Sequence, residues 1–448
     1  MPVELRIEES PLELRCARLR DSRLEALALH FHDSPPQRGA VLLGRVLGRP
    51  GRGGGALVDL GDAQPGLCRN ALGPEGQAVC VQIRRDAMDG KGVRVAGAVS
   101  LVTPALVART GGGRPGLSPR LADSAERDRL QALVARESDD TLVFTARTLA
   151  AGLDDELLQR QAGLLRDRWR TITEAAATAR PPALLEAPPS PLIAFLNDHL
   201  SADVDRVRIE GADTLARATG FARVHLPWLE ERLESWRESE ALFALDDLEE
   251  QIAGLFAPAV PLPGGGHLLI EQTAALATID VNAGAAAPAE ANLAAVEEIP
   301  RQLALRGLAG QIAIDFAGGR GRTSGLAGRL KAALARQRVA AEIVGDLPRA
   351  GLVVLSRRKD GPPLAARRHR AGASTAHPRH VAAAAARQAA RELRASPAGG
   401  LVLWAGPGTA AVLEAEAAAI ERSLGHALTV RSDSGLGDDH YEIERSGA

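Results

Sequence analysis

The sequence predicts a multidomain α/β protein. A chain of 448 residues is too long for one ordinary hydrophobic core, so three or more domains are expected. Short apolar runs separated by glycine-rich turns fill residues 40–102, whereas strand and helix patterns alternate between residues 257 and 360. A hydrophobic content of 45% and a charged content of 25% are typical of a soluble globular protein.

The N-terminal third is predicted to be mainly β-structure. Residues 1–32 alternate charged and apolar positions, which predicts a hairpin, and residues 34–39 break the pattern. Five or so strands within residues 40–102 suggest a small barrel of the OB type. Such barrels often stack bases on aromatic side chains, but this segment has no Phe, Tyr or Trp and offers Leu57 and Leu67 instead. An RNA-binding barrel and a purely structural barrel are both consistent with this pattern.

Helices become frequent after residue 103. Residues 103–190 combine two strand candidates with one long helix from Asp154 to Thr178, which Arg180-Pro-Pro ends. Residues 190–256 alternate helices with a strand near 204–209. In the next segment, strands are predicted at 268–272, 277–282, 311–316, 341–344 and 351–356, and helices at 292–307 and 326–340. Pro300 should kink the first of these helices or end its first part.

A linker and a small α/β module are predicted at the end of the sequence. Residues 361–378 are rich in Pro, Arg, His and Ala, which is typical of a linker. The module is predicted as a helix from residue 381, a strand at 400–404, a helix at 409–424 and strands at 427–430 and 441–444. His369, His377 and His380 are a poor zinc signal without cysteines nearby and are expected to be solvent-exposed.

Composition restricts the partners and the compartment. The net charge is -2, so any nucleic-acid site must be a local basic face rather than the whole molecule. Nearly all basic residues are arginine, which suits phosphate recognition, although a GC-rich genome explains the same bias. Three widely spaced cysteines and the lack of an apolar signal or membrane span predict a cytoplasmic protein without disulfides and without membrane contact.

Two apolar strands each carry one aspartate. Asp280 lies in Thr278-Ile-Asp-Val-Asn-Ala-Gly284, and Asp315 lies in Gln311-Ile-Ala-Ile-Asp-Phe316 about one helix later. Asn282 is two residues beyond Asp280 and so points to the same face of its strand. Carboxylates at one edge of a sheet, with waters, suit Mg²⁺ and leave positions open for a phosphate, where a metal makes bound water more acidic. The alternative is that each Asp caps a turn or helix at a strand end.

Three further segments are candidates for phosphate contacts. Arg147-Thr148 follows a strand directly and offers a guanidinium, a hydroxyl and backbone N–H groups for a monophosphate, but an ordinary surface arginine gives the same pattern. Arg320 and Arg322 lie in the glycine-rich run 318–325, which either tracks an RNA backbone or is a mobile loop. The remaining candidates for backbone contacts are Lys91, Arg357 and Arg358.

Several of these motifs together resemble the ribonuclease E/G family. The resemblance rests on 277–284, on 292–310 and on Ile312-Ala-Ile-Asp-Phe316, with support from 351–357, from 55–61 and 75–83 in the barrel and from Phe144-Thr-Ala-Arg-Thr148. It spans nearly the whole chain and keeps the order of the motifs. Within it, Asp280 and Asp315 match the family's metal ligands, Asn282 matches its supporting active-site asparagine, and Arg147 and Thr148 match its 5′-phosphate sensor.

The resemblance implies a domain order and an activity. The implied regions are an RNase H-like subdomain (1–37 and 190–256) interrupted by an OB-fold barrel (38–103) and a 5′-sensor region (104–189), a DNase I-like catalytic subdomain (257–360), a linker (361–380) and a small C-terminal α/β domain (381–448). Members of the family cut single-stranded RNA with Mg²⁺, often at A/U-rich sites and with a preference for a 5′-monophosphate. They act in rRNA processing and mRNA decay. The resemblance also implies a homodimer, but one without the family's cysteine zinc link.

The sequence departs from the family pattern at several points. Gly318 replaces a second aspartate, Leu57 and Leu67 replace barrel aromatics, Pro300 interrupts a helix, and the link has no zinc-binding cysteines. The absence of a long scaffold tail favours the ribonuclease G-like branch. The resulting hypothesis is a Mg²⁺-dependent endoribonuclease that leaves a 5′-phosphate and a 3′-hydroxyl. The rival hypothesis is an RNA-binding protein that keeps the fold after losing turnover.

Overall fold

The computed structural model describes residues 2–33, 37–49, 55–70, 72–88, 91–238, 240–273, 275–318, 325–347, 351–359, 361–365, 377–396 and 400–446. The chain forms two units, one of residues 1–9, 13–16 and 28–237 and the other of residues 10–12, 17–27 and 238–448. Each unit combines helices with β-sheets, so the predicted mixed α/β class is confirmed.

The N-terminal segment forms three strands rather than the predicted hairpin. They are β1 (Val3–Glu9), β2 (Glu13–Arg20) and β3 (Arg23–Phe31). The charged half of the alternation is buried as well as the apolar half, since Arg6 is 1% exposed and Glu8 is 3% exposed. Arg6 Nε donates to Glu4 at 3.0 Å, and Arg15 pairs with Glu8. Because buried charges need partners, these ion pairs allow a strand to bury both faces.

The barrel is closed by five strands. They are β4 (Val41–Gly48), β5 (Ala56–Asp59), β6 (Gly66–Cys68), β7 (Ala78–Arg85) and β8 (Arg94–Ala96), and pairing of β4 with β7 completes the ring. Its interior contains Val46, Val58, Val81 and Val95. At Gly44 an added Cβ would lie 2.4 Å from Val58 Cγ1, so only glycine fits where these strands cross closely. The barrel predicted from the short strands is therefore confirmed, and it is consistent with an OB-like fold.

A four-stranded sheet and two helices follow the barrel. The elements are β9 (Ser100–Val102), β10 (Leu106–Arg109), β11 (Gly116–Leu117), α1 (Ser124–Glu137), β12 (Val143–Ala146), a 3₁₀ turn (Thr148–Ala150), α2 (Asp155–Thr178) and β13 (Ala183–Glu186), the last of which pairs with β4. Helix α2 has the predicted bounds, because the Asp154 carboxylate accepts from Leu157 N at 2.6 Å and caps its first turn. Helix α1 was not predicted. Only Leu130, Leu133 and Val134 of α1 are buried, which is a weak apolar periodicity.

The first unit ends with two helices and two strands. They are α3 (Pro191–His199), β14 (Arg206–Glu210), α4 (Ala212–His225) and β15 (Leu233–Ser235), with a 3₁₀ helix at Pro227–Arg232. Strand β14 pairs in parallel with β1, so the first strand of the chain joins the predicted strand near residue 206. Leu5, Ile7, Phe195 and Phe221 share the core between this sheet and the helices.

The second unit is built on a six-stranded mixed sheet. Its elements are a 3₁₀ turn (Leu245–Asp247), α5 (Leu248–Gly254), β16 (Ala259–Pro261), β17 (His267–Gln272), β18 (Leu276–Asn282), α6 (Pro288–Leu305), β19 (Gly310–Asp315), α7 (Leu326–Arg336), β20 (Glu342–Leu347) and β21 (Leu352–Arg357). The strand order is β16-β17-β18-β19-β21-β20, and only β18 and β19 are parallel. Ile279, Val281, Ile312 and Ile314 share the hydrophobic core with residues of α6 and α7, including Leu330. The opposite sheet face carries the polar residues.

Two helix boundaries in this sheet region differ from the prediction. Pro300 does not end α6, which is one helix from Pro288 to Leu305. Its neighbours Ile299 and Leu303 are fully buried in the core, and this packing holds the helix although Pro300 has no backbone N–H. Helix α7 stops at Arg336 rather than at residue 340, because Arg338 takes a left-handed conformation with φ 63°.

The C-terminal module follows the predicted order with one exception. It contains α8 (Pro378–Ala395), β22 (Gly400–Ala405), α9 (Pro407–Ala415), α10 (Ala417–Leu424), β23 (Leu428–Ser432) and β24 (Tyr441–Ser446). The single helix predicted for 409–424 is two helices that meet at Glu416. His377 caps α8 by accepting from Arg379 N, and His369 lies outside the described residues. No helix in the described ranges has the length and apolar composition needed to cross a bilayer.

Candidate functional site

Asp280 and Asp315 are neighbours across two strands. In the parallel pairing of β18 with β19, Asp280 is the register partner of Asp315. Both are exposed, whereas Ile279 and Ile314, which precede them, are buried against the helices. Because successive strand residues point to opposite faces, the alternation that buries the isoleucines places both carboxylates on the same outer face of the sheet. The sequence predicted this juxtaposition from the two apolar strands.

Asn282 belongs to the same face. Its Nδ2 donates to Asp280 Oδ2 at 2.7 Å, which orients that carboxylate. The register partner of Asn282 on β17 is His267, a half-buried residue that sequence reasoning did not select. Leu268 and Ile270 are buried, so the alternation of side chains along β17 places His267 on the opposite, outer face. This alternation was the signal in the sequence that could have identified His267.

The electrostatics of the pair favour a cation. Partial burial, and then the neighbouring Asp280 charge, raise the pKa of Asp315 above its ordinary value. Two carboxylates held this close repel each other, and a bound cation removes that repulsion. No group of three or more His, Cys, Asp or Glu side chains in the described part of the chain is arranged to hold a metal. Mg²⁺ fits a pair of carboxylates because it keeps several waters and needs only one or two protein carboxylates.

Asn292 fixes the end of the strand that carries Asp315. It is 2% exposed in α6, its Nδ2 donates to Ala317 O at 2.9 Å, and its Oδ1 accepts from Ala317 N at 2.9 Å. Phe316 N also donates to Gly351 O at 3.2 Å. The chain is thus held on both sides just after Asp315. Sequence reasoning gave Asn292 no role, because an asparagine inside a helical pattern carries no signal of such a distant partner.

Removal of the Asn292 amide should loosen this strand end. Asn292→Ala leaves the N–H and C=O of Ala317 without their partner and is expected to destabilise the second unit by about 2 kcal/mol. Amide hydrogen exchange at Ala317 should accelerate accordingly. The control is Glu290→Ala, which changes an exposed side chain near the start of the same helix. Equal protection of Ala317 in the two variants would contradict the clamping role.

The basic candidates of the second unit do not gather at the aspartates, since Arg357 is the register partner of Gly310, at the other end of β19 from Asp315. Arg320 and Arg322 lie outside the described residues. Gly318 has φ 99°, a backbone conformation that disfavours the aspartate of the family pattern at this position. Arg357 Nη1 donates to Leu308 O at 2.6 Å and Leu303 O at 3.3 Å, so its guanidinium stabilises the end of α6. Arg358 is exposed.

A second candidate site, in the first unit, consists of the polar groups at Arg147 and Thr148. Its Nη1 donates to Thr103 O at 3.0 Å, and its Nη2 lies 3.9 Å from Asp198 Oδ1. Thr148 Oγ1 lies 3.0 Å from Ser118 Oγ, so a second hydroxyl joins the predicted pair. Burial lowers the pKa of Arg147, and the mostly exposed Asp198 only partly offsets this effect. A partly buried cation with a weak partner and two adjacent hydroxyls is suited to bind an anion.

The barrel presents a row of side chains that includes the predicted leucines. Leu57 pairs with Leu67, Leu67 with Arg94, and Arg94 with Arg85 across successive strands. Burial, and then the charges of Arg85 and Arg69, lower the pKa of Arg94. These three arginines (Arg69, Arg85 and Arg94) form a basic cluster beside the leucines, and sequence reasoning missed them. The selected Lys91 is exposed in the turn before β8.

Comparisons with known proteins were consistent with one another. The Ribonuclease E/G family profile matches residues 100–360. Ribonuclease G of Salmonella typhimurium (strain SL1344) is 30% identical over 295 residues, which are 64% of this chain and 60% of that protein. Ribonuclease G of Escherichia coli (strain K12) is 31% identical over 250 residues, or 54% and 51% of the two chains. Ribonuclease E of Nostoc sp. is 31% identical over 318 residues, or 65% and 44%. The chain thus spans about half the length of these relatives.

Proposed function

The chain belongs to the Ribonuclease E/G family, since the family profile matches more than half of it, and from this we propose that it is an endoribonuclease that cleaves single-stranded RNA. The observation that carries the proposal is the register pairing of Asp280 with Asp315 on one exposed sheet face, with Asn282 bonded to Asp280. Within this proposal the sheet of β16 to β21 is the DNase I-like catalytic subdomain. For the other regions we propose the order and boundaries that the resemblance to the family implies.

Each residue of the pair has a role in the proposed reaction. Asp280 and Asp315 hold a divalent cation, for which Mg²⁺ is the natural choice because the ligands are hard oxygens. When bound, the ion offsets charge on a phosphodiester and makes a water molecule more acidic. Asn282 keeps Asp280 oriented through its 2.7 Å hydrogen bond and presents its amide to the same face. The expected products carry a 5′-phosphate and a 3′-hydroxyl.

The Arg147 site supports a preference for 5′-monophosphorylated RNA. Arg147 supplies the cation, and the hydroxyls of Thr148 and Ser118 supply hydrogen bonds to phosphate oxygens. On this basis the region that contains Arg147 is proposed to recognise the 5′ end. Substrates in rRNA processing and mRNA decay are consistent with such a preference.

The direct test is cleavage of a 5′-monophosphorylated A/U-rich oligonucleotide. We expect cleavage with Mg²⁺ and none after chelation. The downstream product should then be degraded by a 5′-phosphate-dependent exonuclease, and the upstream product should be joined by a ligase that requires a 3′-hydroxyl. The same oligonucleotide with uncleavable linkages only at its two ends is the control for contaminating exonuclease, because an exonuclease cannot start on it whereas an endonuclease still cuts inside it. Turnover that persists in excess chelator would contradict the proposal.

The rival function is RNA binding without turnover. Leu57 and Leu67 favour it, because aliphatic side chains stack less well on bases than the aromatic residues usual in such barrels. RNA binding by the unaltered protein without any cleavage in Mg²⁺ would support this rival. The exposed and paired aspartates argue for the enzyme, since two adjacent carboxylates repel RNA unless a cation lies between them.

The basic cluster of the barrel should contribute to RNA affinity by charge. Arg94→Gln is expected to weaken binding of single-stranded RNA at low salt and to reduce the slope of log K against log salt by about 0.7, the contribution of one phosphate contact. The measurement is fluorescence anisotropy in chelator, so that no cleavage occurs. Arg45→Gln, at an exposed barrel arginine that donates to Gly76 O, is the control. Equal slopes for Arg94→Gln and the unaltered protein would exclude this contact.

A further inference from the structure

The first unit contains a cavity that the proposed reaction does not use. Its volume is about 260 Å³, and its lining includes Val102, Arg168, Asn197, Phe221 and His225. This is room for roughly nine water molecules or for one small heterocycle, and it is slightly below the range of about 300–1,000 Å³ that is usual for small-molecule sites. These five residues belong to β9, α2, α3 and α4, and the rest of the lining includes Gln82 of β7 and the connecting residues Gly39, Pro189 and Ser190.

Two buried polar atoms in the lining have no partner. Among the described residues, Asn197 Oδ1 and His225 Nδ1 are buried and make no hydrogen bond. Buried polar side-chain atoms nearly always have a partner, and leaving one without a partner is costly. Two such atoms in one cavity indicate that a ligand or ordered water completes them.

The remaining lining restricts the kind of ligand. Burial, and then the charge of Arg168, lower the pKa of His225 to about 4, so the imidazole is neutral near pH 7. The Phe221 ring lies 4.9 Å from the His225 ring and supplies an apolar wall. Arg168 is already engaged by Glu186 at 2.9 Å and by Val102 O at 3.3 Å. A neutral planar ligand with polar edges fits these surroundings better than a second charge does.

The cavity adjoins the Arg147 site through the chain. Val102 and Asn197 line the cavity, and the residues after them, Thr103 and Asp198, are the two that contact the Arg147 guanidinium. A phosphate at Arg147 and a ring in the cavity are therefore placed by the same short segments. A nucleotide has both groups.

We propose that this cavity binds one unpaired nucleobase, held by hydrogen bonds to Asn197 Oδ1 and His225 Nδ1 against the Phe221 wall. The base comes either from an RNA strand near its 5′ end or from a free nucleotide. The RNA source rests on the proposed function, whereas base binding itself does not, because it needs neither the aspartate pair nor a cation.

The test measures nucleotide binding to the full chain in chelator. Calorimetric titration compares the four nucleoside 5′-monophosphates with ribose 5-phosphate, which has the phosphate but no base. We expect at least one nucleotide to bind at least about tenfold more tightly than ribose 5-phosphate. Asn197→Leu and His225→Phe should each remove most of that difference, because they keep the size of the side chain and delete the polar atom.

Matched variants separate binding from folding. His199→Phe changes the corresponding histidine of the Phe195–His199 pair in α3, where the rings are 4.4 Å apart and the histidine does not line the cavity. It should bind nucleotides as the unaltered protein does. Since Asn197 Oδ1 and His225 Nδ1 make no hydrogen bond, their variants should unfold at the same temperature as the unaltered protein or a higher one.

To identify the source of the base, we compare the binding of a short 5′-monophosphorylated RNA with that of the same RNA carrying an abasic first nucleotide. Weaker binding of the abasic RNA assigns the cavity to the RNA strand, and binding of free nucleotides alone assigns it to a free ligand. Equal affinity for all nucleotides and ribose 5-phosphate, unchanged by Asn197→Leu and His225→Phe, would overturn the proposal and leave a water-filled cavity. Because chelator is present throughout, this outcome is independent of whether the protein cleaves RNA.

Discussion

Asp280→Asn and Asp315→Asn are each expected to lower the rate of RNA cleavage about a thousandfold, with little effect on RNA binding. A divalent cation contributes several kcal/mol to transition-state stabilisation in phosphoryl hydrolysis, and each 1.36 kcal/mol corresponds to about a tenfold change in rate. Asparagine keeps the size and one oxygen of the carboxylate but removes its charge. At position 280 that oxygen can still accept the hydrogen bond from Asn282 Nδ2. The measurement is single-turnover cleavage in Mg²⁺.

Stability measurements make this prediction specific to the cation site. Asp280 disfavours ionisation of Asp315, so Asp315→Asn should leave the metal-free protein at least as stable as the unaltered one near pH 7. Mg²⁺ should raise the unfolding temperature of the unaltered protein but not of either variant. Asp346→Asn, at an exposed position of β20 in the same sheet, is the matched control. Equal cleavage by all four proteins would exclude the catalytic assignment.

Arg147→Ala is expected to abolish the preference for 5′-monophosphorylated over 5′-hydroxyl substrates. The Arg147 side chain is three-quarters buried and Asp198 is 3.9 Å away and mostly exposed, so a bound phosphate is expected to be a stronger partner than this carboxylate. Charge-assisted hydrogen bonds of this kind contribute about 1.5–3 kcal/mol, so the ratio of cleavage rates should fall roughly tenfold to a hundredfold. The measurement is the ratio of kcat/KM for two oligonucleotides that differ only at the 5′ end.

The controls separate end recognition from general charge. Arg170→Ala removes an exposed arginine of α2 that pairs with Asp167, and should leave the ratio unchanged. Ser118→Ala should lower the ratio by a smaller factor than Arg147→Ala, because it removes one neutral hydroxyl beside Thr148. Cleavage of the 5′-hydroxyl substrate should not change in any of these variants. An unchanged ratio in Arg147→Ala would remove the sensor role from this residue.

Local sequence patterns predicted most of the strands and helices, and the exceptions have physical causes. The strands of the barrel and of the large sheet follow short alternating or apolar runs between glycines, and α2 follows its Asp154 cap. Helix α1 buries few residues, so its apolar periodicity was too weak to see. Pro300 was expected to interrupt α6. The helix continues because the packing of its buried side chains outweighs the low helix propensity of proline.

Long-range partners could not be predicted in the same way. The hydrogen bonds of Asn292 join residues 25 positions apart, and Arg357 stabilises a helix end about 50 residues away. The burial of Glu8 depends on Arg15 of the neighbouring strand, whereas Arg6 pairs with Glu4 on its own strand. The Asn197–His225 cavity is lined by residues of β7, β9, α2, α3 and α4 and of the segments that connect them, and no motif marks it.

The sequence by itself determined that Asp280 and Asn282 share one face of their strand and that Asp315 lies opposite the apolar face of its own strand, because strand alternation is local and the flanking apolar runs fix it. It also determined the family, since several motifs keep their order. Only the tertiary structure decided the register that makes Asp280 the partner of Asp315, the clamp by Asn292 and the cavity beside Arg147. Those features depend on how distant segments pack, and the free energy of packing is shared among residues that are far apart in the chain.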